Sequence, residues 1–158
     1  MEIRKAKTED CRNLTELRIE MRKEREQESL KENEQVFYNN IFGFFSENIA
    51  SGNFVSYVAV DSREIIATSG LCFYKVPPSY KNPTGLVAYI TNMYTKKQYR
   101  KMGIATKLLD CLIDEAKSRD CIKITLNASD AGKPIYIKYG FKDLQNEMVY
   151  YIDNSFTR

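Results

Sequence analysis

The sequence predicts a mixed α+β fold: one mostly antiparallel sheet flanked by helices. Three observations carry that prediction. Apolar runs of strand type alternate with runs of helical period, in the order β-α-α-β-β-β-α-β-α-β. Three of the strand runs follow one another with no helix between them, which implies antiparallel neighbours rather than a regular parallel β-α-β sheet. The chain has 158 residues, 43% of them hydrophobic, enough for one buried core, and it shows no linker, repeat or low-complexity stretch. Residues 1–158 therefore read as a single domain.

Each element has a local reason. Glu2 to Lys5 is a short opening strand, and Thr8 is the expected N-cap of a helix carrying Leu14, Leu17 and Met21 on one face. Arg22 to Glu34 is rich in Lys and Glu and reads as a solvated face or connection. Val36, Phe37, Ile41, Phe44, Phe45 and Ile49 recur at helical spacing and stop before Ser51-Gly52, as a core-facing stripe. Phe54 to Val60 is a strand, Asp61-Ser62-Arg63 a hairpin turn, and Glu64 to Tyr74 the return strand. Proline-rich Val76 to Pro83 is a loop. Gly85 to Thr95 is the next strand. Ala105, Leu108, Leu109, Leu112, Ile113 and Ala116 trace a helical stripe, and Cys121 to Leu126 is a buried-type strand. Pro134 suits the first turn of a short helix that Gly140 closes. Phe141 to Ile152 is the last expected strand.

Composition narrows the function. Twenty-four basic and 21 acidic residues leave a net charge of +3, not the pronounced excess of a nucleic-acid binder. The start, MEIRKAKTED, is too charged for a signal peptide, and no run approaches membrane-spanning length, so a cytoplasmic location without membrane association is the expectation. Cys11, Cys72, Cys111 and Cys121 show no C-x-x-C spacing and there is no histidine, so no metal site and no His-dependent triad is expected. The thiols read as free and mostly buried.

The stretch Gln98 to Thr106, QYRKMGIAT, stands out because a basic, glycine-bearing loop opens directly into a helix. The first amides of a helix have no internal partner and carry the positive end of its dipole, which makes such a start a phosphate site. Arg100 and Lys101 add charge, and Gly103 lets the backbone approach a bulky anion. Neither common phosphate motif fits. Gly132-Lys133 runs into Pro134 with Asn127 where a P-loop wants glycine, and Gly103 is followed by Ala105 and Leu108 where a dinucleotide fingerprint wants another pattern.

The segment Gln98 to Ala105 resembles the Q/R-x-x-G-x-G/A signature of the GNAT superfamily of acyl-CoA-dependent N-acetyltransferases, with Arg100, Gly103 and Ala105 at its defining positions. Thr91 to Thr95 resembles that family's fourth strand, and Tyr136 to Phe141 its Y-x-x-x-G-F segment. The order of elements is similar over nearly the whole chain. The resemblance implies a sheet whose fourth and fifth strands splay apart, with acyl-CoA in the gap. Met93, Tyr94 and Thr95 would hold the pantetheine like an added strand. Arg100, Lys101, Met102, Gly103, Ile104, Ala105 and Thr106 would hold the pyrophosphate, and Asn127 could bond the pantetheine from the other wall.

The resemblance also implies the chemistry: acetyl transfer from acetyl-CoA, as co-substrate, to an amine of a small molecule or peptide. Tyr136 would protonate the departing sulfur, since a phenol with a pKa of about 10 is neutral at pH 7. The base is left open. Some members use a strand-four glutamate, but Val87 to Asn92 carries no acid. Glu20 and Glu24, on the helix that lines the acceptor side in the family, read as exposed carboxylates that could attract a cationic amine. Two alternatives stand beside the acetyltransferase: a silent acyl-CoA-binding sensor or regulatory module, and a transferase with a longer acyl donor. A C-terminal strand with Tyr150, Tyr151 and Ile152 could pair across a homodimer.

Overall fold

A computed structural model describes residues 1–26, 34–144, 148 and 150. The chain divides into two compact units after Asn127. In the first, β1 (Glu2–Lys5) leads through a 3-10 turn, Thr8–Asp10, into α1 (Cys11–Glu26). Thr8 lies inside that turn and is not the cap. Asp10 does the work instead: its carboxylate accepts the Lys7 amide at 2.8 Å and two Arg4 nitrogens at 2.7 and 2.9 Å. A carboxylate has lone pairs for three donors, which one hydroxyl oxygen lacks. α1 buries Leu14, Leu17 and Met21, as the period predicts. α2 (Glu34–Ser51) buries Ile41 and Phe45, while Val36 and Phe44 stay exposed. The expected connection Arg22 to Glu34 thus belongs to the two helices at its ends; residues 27–33 lie outside the described chain.

The single strand expected over Phe54 to Val60 is two, β2 (Phe54–Val55) and β3 (Tyr57–Asp61), parted at the buried Ser56. The Ser62-Arg63 turn has φ of 47° and 71°, the left-handed pair of a type I′ hairpin. It leads into β4 (Glu64–Lys75), and β5 (Leu86–Thr95) follows the proline-rich loop. Gly85 precedes β5 at φ 66°, where a Cβ would sit 2.2 Å from the Val76 carbonyl oxygen. The sheet runs β1-β3-β4-β5-β6 with β2 also on β4, and all pairings are antiparallel except β5 with β6 (Ile124–Leu126). β6 is shorter and less buried than the expected Cys121 to Leu126. The Cys121 amide is spent on the Ala116 carbonyl at 3.0 Å, closing the preceding helix, and Ile122 faces solvent.

Strand alternation divides the core into two layers. Val58 and Tyr94 face α1 and α2; Tyr57, Ala59 and Met93 face α3 (Ile104–Ser118) with Ile104 and Leu108. Glu115 anchors the far end of α3. Its carboxylate accepts Lys5 at 2.9 Å, Tyr57 at 3.0 Å and Arg119 at 2.9 Å, and Arg119 also reaches the Gly52 carbonyl at 2.8 Å. Burial, then the bond to Glu115, pushes the Tyr57 phenol up to about 12.

In the C-terminal unit, α4 (Lys133–Tyr139) carries Pro134 in its first turn and ends at Gly140, φ 105°, as expected. The Phe141 amide returns to the Tyr136 carbonyl at 3.0 Å, and the two rings meet edge-on at 5.6 Å. Of the last expected strand, Phe141 to Leu144 carries no ladder; Tyr151 and Ile152 lie outside the described residues.

Candidate functional site

β5 and β6 stay paired through Ala88↔Ile124, Tyr89↔Thr125 and Ile90↔Leu126, where the ladder ends. β5 continues from Thr91 to Thr95 with β4 still on its other side. Among the described residues, the β6-facing edge of β5 therefore carries no ladder from Thr91 onward. Such an edge presents N–H and C=O groups to an extended partner. β6 stops because Leu126 is followed by the exposed Asn127, which opens a loop. The fourth and fifth strands of the sequence reading are β5 and β6, and they part as expected.

The register breaks at the same level. Thr68 pairs with Tyr94 and Gly70 with Thr91, so Ser69 alone faces Asn92 and Met93. This is a β-bulge, which leaves the extra residue out of the ladder and bends the strand. Asn92 occupies its left-handed position at φ 56° and is 3% exposed.

Beyond Thr95 the chain makes a 3-10 turn, Lys97–Tyr99, then passes through Lys101 at φ 62° and Gly103 at φ 76° into α3. Among the described residues, the first amide to find an acceptor at this helix start is that of Lys107, which donates to the Gly103 carbonyl at 3.2 Å. Gly103 is the N-cap and has no side chain to cap with. A Cβ built on Gly103 would meet nothing within 4 Å among the described residues. Among the described residues, the amides that open α3 before Lys107 thus meet no backbone acceptor, the donor set a diphosphate needs. On this observation the coenzyme fits the residues present.

The structure brings most of the expected site residues together at one end of β5. Met93, Tyr94 and Thr95 lie on the stretch of β5 that β6 does not pair, with the Thr95 carbonyl taken by Arg100; Lys101, Met102, Gly103 and Thr106 are exposed in the loop and first helical turn. The Ile104 side chain is core, so only its backbone is on offer. Asn127 follows the point where β6 leaves β5. Tyr136 stands on α4 in the C-terminal unit, half-buried.

Arg100 departs from the simple expectation of a free charge in the loop. Its Nε donates to the Thr95 carbonyl at 2.8 Å, and an Nη bonds a Glu24 carboxylate oxygen at 2.7 Å. The other Glu24 oxygen accepts the Tyr94 phenol at 2.7 Å. Glu24 is therefore not an exposed helix carboxylate but the tie between α1, β5 and the loop. Burial works against its charge, yet the bonds from Arg100 and Tyr94 win and hold its carboxyl below the usual range. Burial, then the bond to Glu24, raises the Tyr94 phenol. Glu20 stays exposed. Nothing in the spacing of Glu24 and Arg100 along the chain signals their pairing. Asn92 did leave a signal: asparagine is rare in strand interiors and tolerates φ > 0, so its place in a β-branched run marks a bulge.

Among the described residues, no group of three Cys, Asp or Glu side chains could hold a metal ion, and no helix is long and apolar enough to cross a membrane.

Comparison with known proteins points to one family. Residues 19–150 match the acetyltransferase (GNAT) domain. An acetyltransferase of Clostridium acetobutylicum, described as predicted and crystallised with acetyl-CoA, is 36% identical, covers 96% of both chains and superposes at a TM-score of 0.88. A GCN5-related N-acetyltransferase from Ralstonia eutropha JMP134 has the same fold at a TM-score of 0.85, with 23% identity over 96% of this chain and 97% of that one. A glucosamine 6-phosphate N-acetyltransferase of Trypanosoma brucei brucei is 26% identical over 73 residues, which is 46% of this chain and 50% of that protein. The chain thus spans about half the length of that curated relative. With the signature loop, the parted strands and the match over most of its length, the chain belongs to the GNAT acetyltransferase family.

Proposed function

We propose that residues 1–158 form one N-acetyltransferase domain that moves an acetyl group from acetyl-CoA to a primary amine of a small molecule or peptide, by direct attack in a ternary complex. One observation carries this reading: the unladdered edge of β5 lies next to the uncovered helix start behind Gly103. A pantetheine arm needs the first and a diphosphate needs the second. The likeness to the Clostridium protein crystallised with acetyl-CoA supports the same choice of donor.

Bound acetyl-CoA supplies the acetyl group and a thiolate leaving group. The chain's own residues do the rest. Backbone groups of Met93, Tyr94 and Thr95 bind the pantetheine, and the Asn127 amide bonds it from the β6 side. Amides of Met102, Gly103, Ile104, Ala105 and Thr106 hold the diphosphate, each charge-assisted bond contributing about 1.5–3 kcal/mol. Lys101 adds its charge. Arg100, bonded to Glu24 and to the Thr95 carbonyl, ties the turn to α1 and β5 beside the diphosphate. The amine nitrogen attacks the thioester carbon, the C–S bond breaks, and the Tyr136 phenol gives its proton to the sulfur. The amine's proton leaves to solvent, and the Tyr136 phenolate takes a proton back from solvent. Positioning of two reactants is the larger share of the acceleration, with effective molarities of ~10⁵–10⁸ M against ~10²–10⁴-fold for a general acid.

Release of free thiol from acetyl-CoA across polyamines, amino acids, aminoglycosides, peptides and glucosamine 6-phosphate tests the reading. Acceptor-dependent release is expected. Tight coenzyme binding with no release from any acceptor overturns the enzyme in favour of a sensor, and failure to bind coenzyme overturns both.

A further inference from the structure

The bulge in β5 is held by a buried chain of side-chain hydrogen bonds whose direction can be read from donor chemistry. Arg18, on α1, bonds the Asn92 side-chain oxygen at 3.3 Å. A guanidinium has donors only, so Asn92 must turn its oxygen to Arg18 and its NH₂ to the Thr68 hydroxyl, 3.3 Å away. The Ser56 hydroxyl donates to the Ser69 carbonyl at 2.6 Å, and the Thr68 hydroxyl has two acceptors in reach, Ser56 at 3.3 Å and the same Ser69 carbonyl at 3.5 Å. The bonds therefore run from Arg18 to Asn92 to Thr68 and converge, directly or through Ser56, on the Ser69 carbonyl. A cation at the head polarises the whole series. Ser69 is the residue that faces the bulge. Two irregularities of the sheet, the bulge at Asn92 and the break at Ser56, are thus parts of one network, and Asn92, Thr68, Ser56 and Ser69 are all buried. So many buried polar groups are costly to a core unless they fix something.

What they fix lies at a defined place on the coenzyme path. With the diphosphate at the start of α3, just beyond Thr95, the pantetheine runs back along β5 from Thr95 to Met93. On the acetyltransferase reading, that course leads its thioester end toward Asn92. We propose that Asn92 is a positioning residue for acyl transfer: its amide, clamped between Arg18 and Thr68, holds the bulge in the one shape that seats the acyl group, and ties that seat to α1. The inference rests on the acetyltransferase reading.

Affinities for acetyl-CoA and for CoA, measured side by side by calorimetry, test it without an acceptor. Asn92→Gly keeps the left-handed backbone but removes the clamp. It is expected to weaken acetyl-CoA by about 3- to 10-fold while leaving CoA unchanged, one to two lost hydrogen bonds' worth. Thr68→Val should act like Asn92→Gly, and Thr68→Ser, which restores the hydroxyl, like the wild type. Thermal unfolding confirms that each variant folds. A wild type that does not favour acetyl-CoA over CoA, an Asn92→Gly variant with wild-type affinities, or equal losses for both ligands would each overturn the proposal. A wild type that binds neither ligand would overturn the acetyltransferase reading itself.

Discussion

Gly103 is where one residue decides the most. Its φ of 76° costs an L-residue roughly 1–2 kcal/mol, and a Cβ there would project into open space rather than into the protein. Gly103→Val should therefore fold, with a slightly lower melting temperature, yet bind no coenzyme. Calorimetry returning a normal affinity would remove the diphosphate from this turn. Tyr136 calls for the opposite pattern. Tyr136→Phe should slow turnover roughly 10- to 1000-fold with acetyl-CoA affinity nearly intact, because a phenol that only donates a proton contributes to kcat and not to binding. An unchanged kcat takes Tyr136 out of the mechanism. Glycine at 103 was readable in advance because only special backbone positions and close approaches demand it. Glu24 was not, because a helix glutamate looks the same in sequence whether it meets water or an arginine from a distant loop.

At the scale of elements, side chains decide how strands and helices join. Asp10 couples β1 to the turn before α1 through Arg4 and the Lys7 amide. Foremost the Arg4 bond, then the Lys7 amide, holds its carboxyl below the usual aspartate range despite burial. A depressed folded value means the unfolded chain binds the proton first. The stabilisation is therefore complete above the unfolded aspartate value and drains away as pH falls through the folded one. Thermal melts taken from neutral pH down to about pH 3 should show a loss that Asp10→Asn flattens, with the variant less stable at neutral pH. Equal pH profiles would show that the pair contributes nothing. Glu115 plays the same part at the C-terminal end of α3. Glu115→Ala strands the Tyr57 phenol and two cations, and should cost about 1–3 kcal/mol in urea unfolding. Helix periods and the hairpin turn were legible here. The division of Phe54 to Val60 was not, because Ser56 breaks the strand through buried bonds to Thr68 and Ser69 that only the folded sheet creates.

For the molecule as a whole, ligand binding and stability are linked. A ligand that binds only the folded state stabilises it by RT ln(1 + [L]/Kd), ~2.7 kcal/mol at a hundredfold excess over Kd. Acetyl-CoA should accordingly raise the melting temperature of the wild type in a concentration-dependent way and leave Gly103→Val unmoved. A flat response of the wild type would mean that the parted strands hold no coenzyme.

By itself the sequence determined the helices, most of the strands, their order and the glycine turn that opens α3, because helical period, strand alternation and glycine placement are local and survive in a linear string. From these and three short motifs the family followed. Tertiary structure alone decided that Arg100 is tied to Glu24, that β5 bulges at Asn92 and that β6 is cut to Ile124–Leu126. Each depends on partners brought together from far along the chain, and no local pattern encodes the free energy of such a meeting.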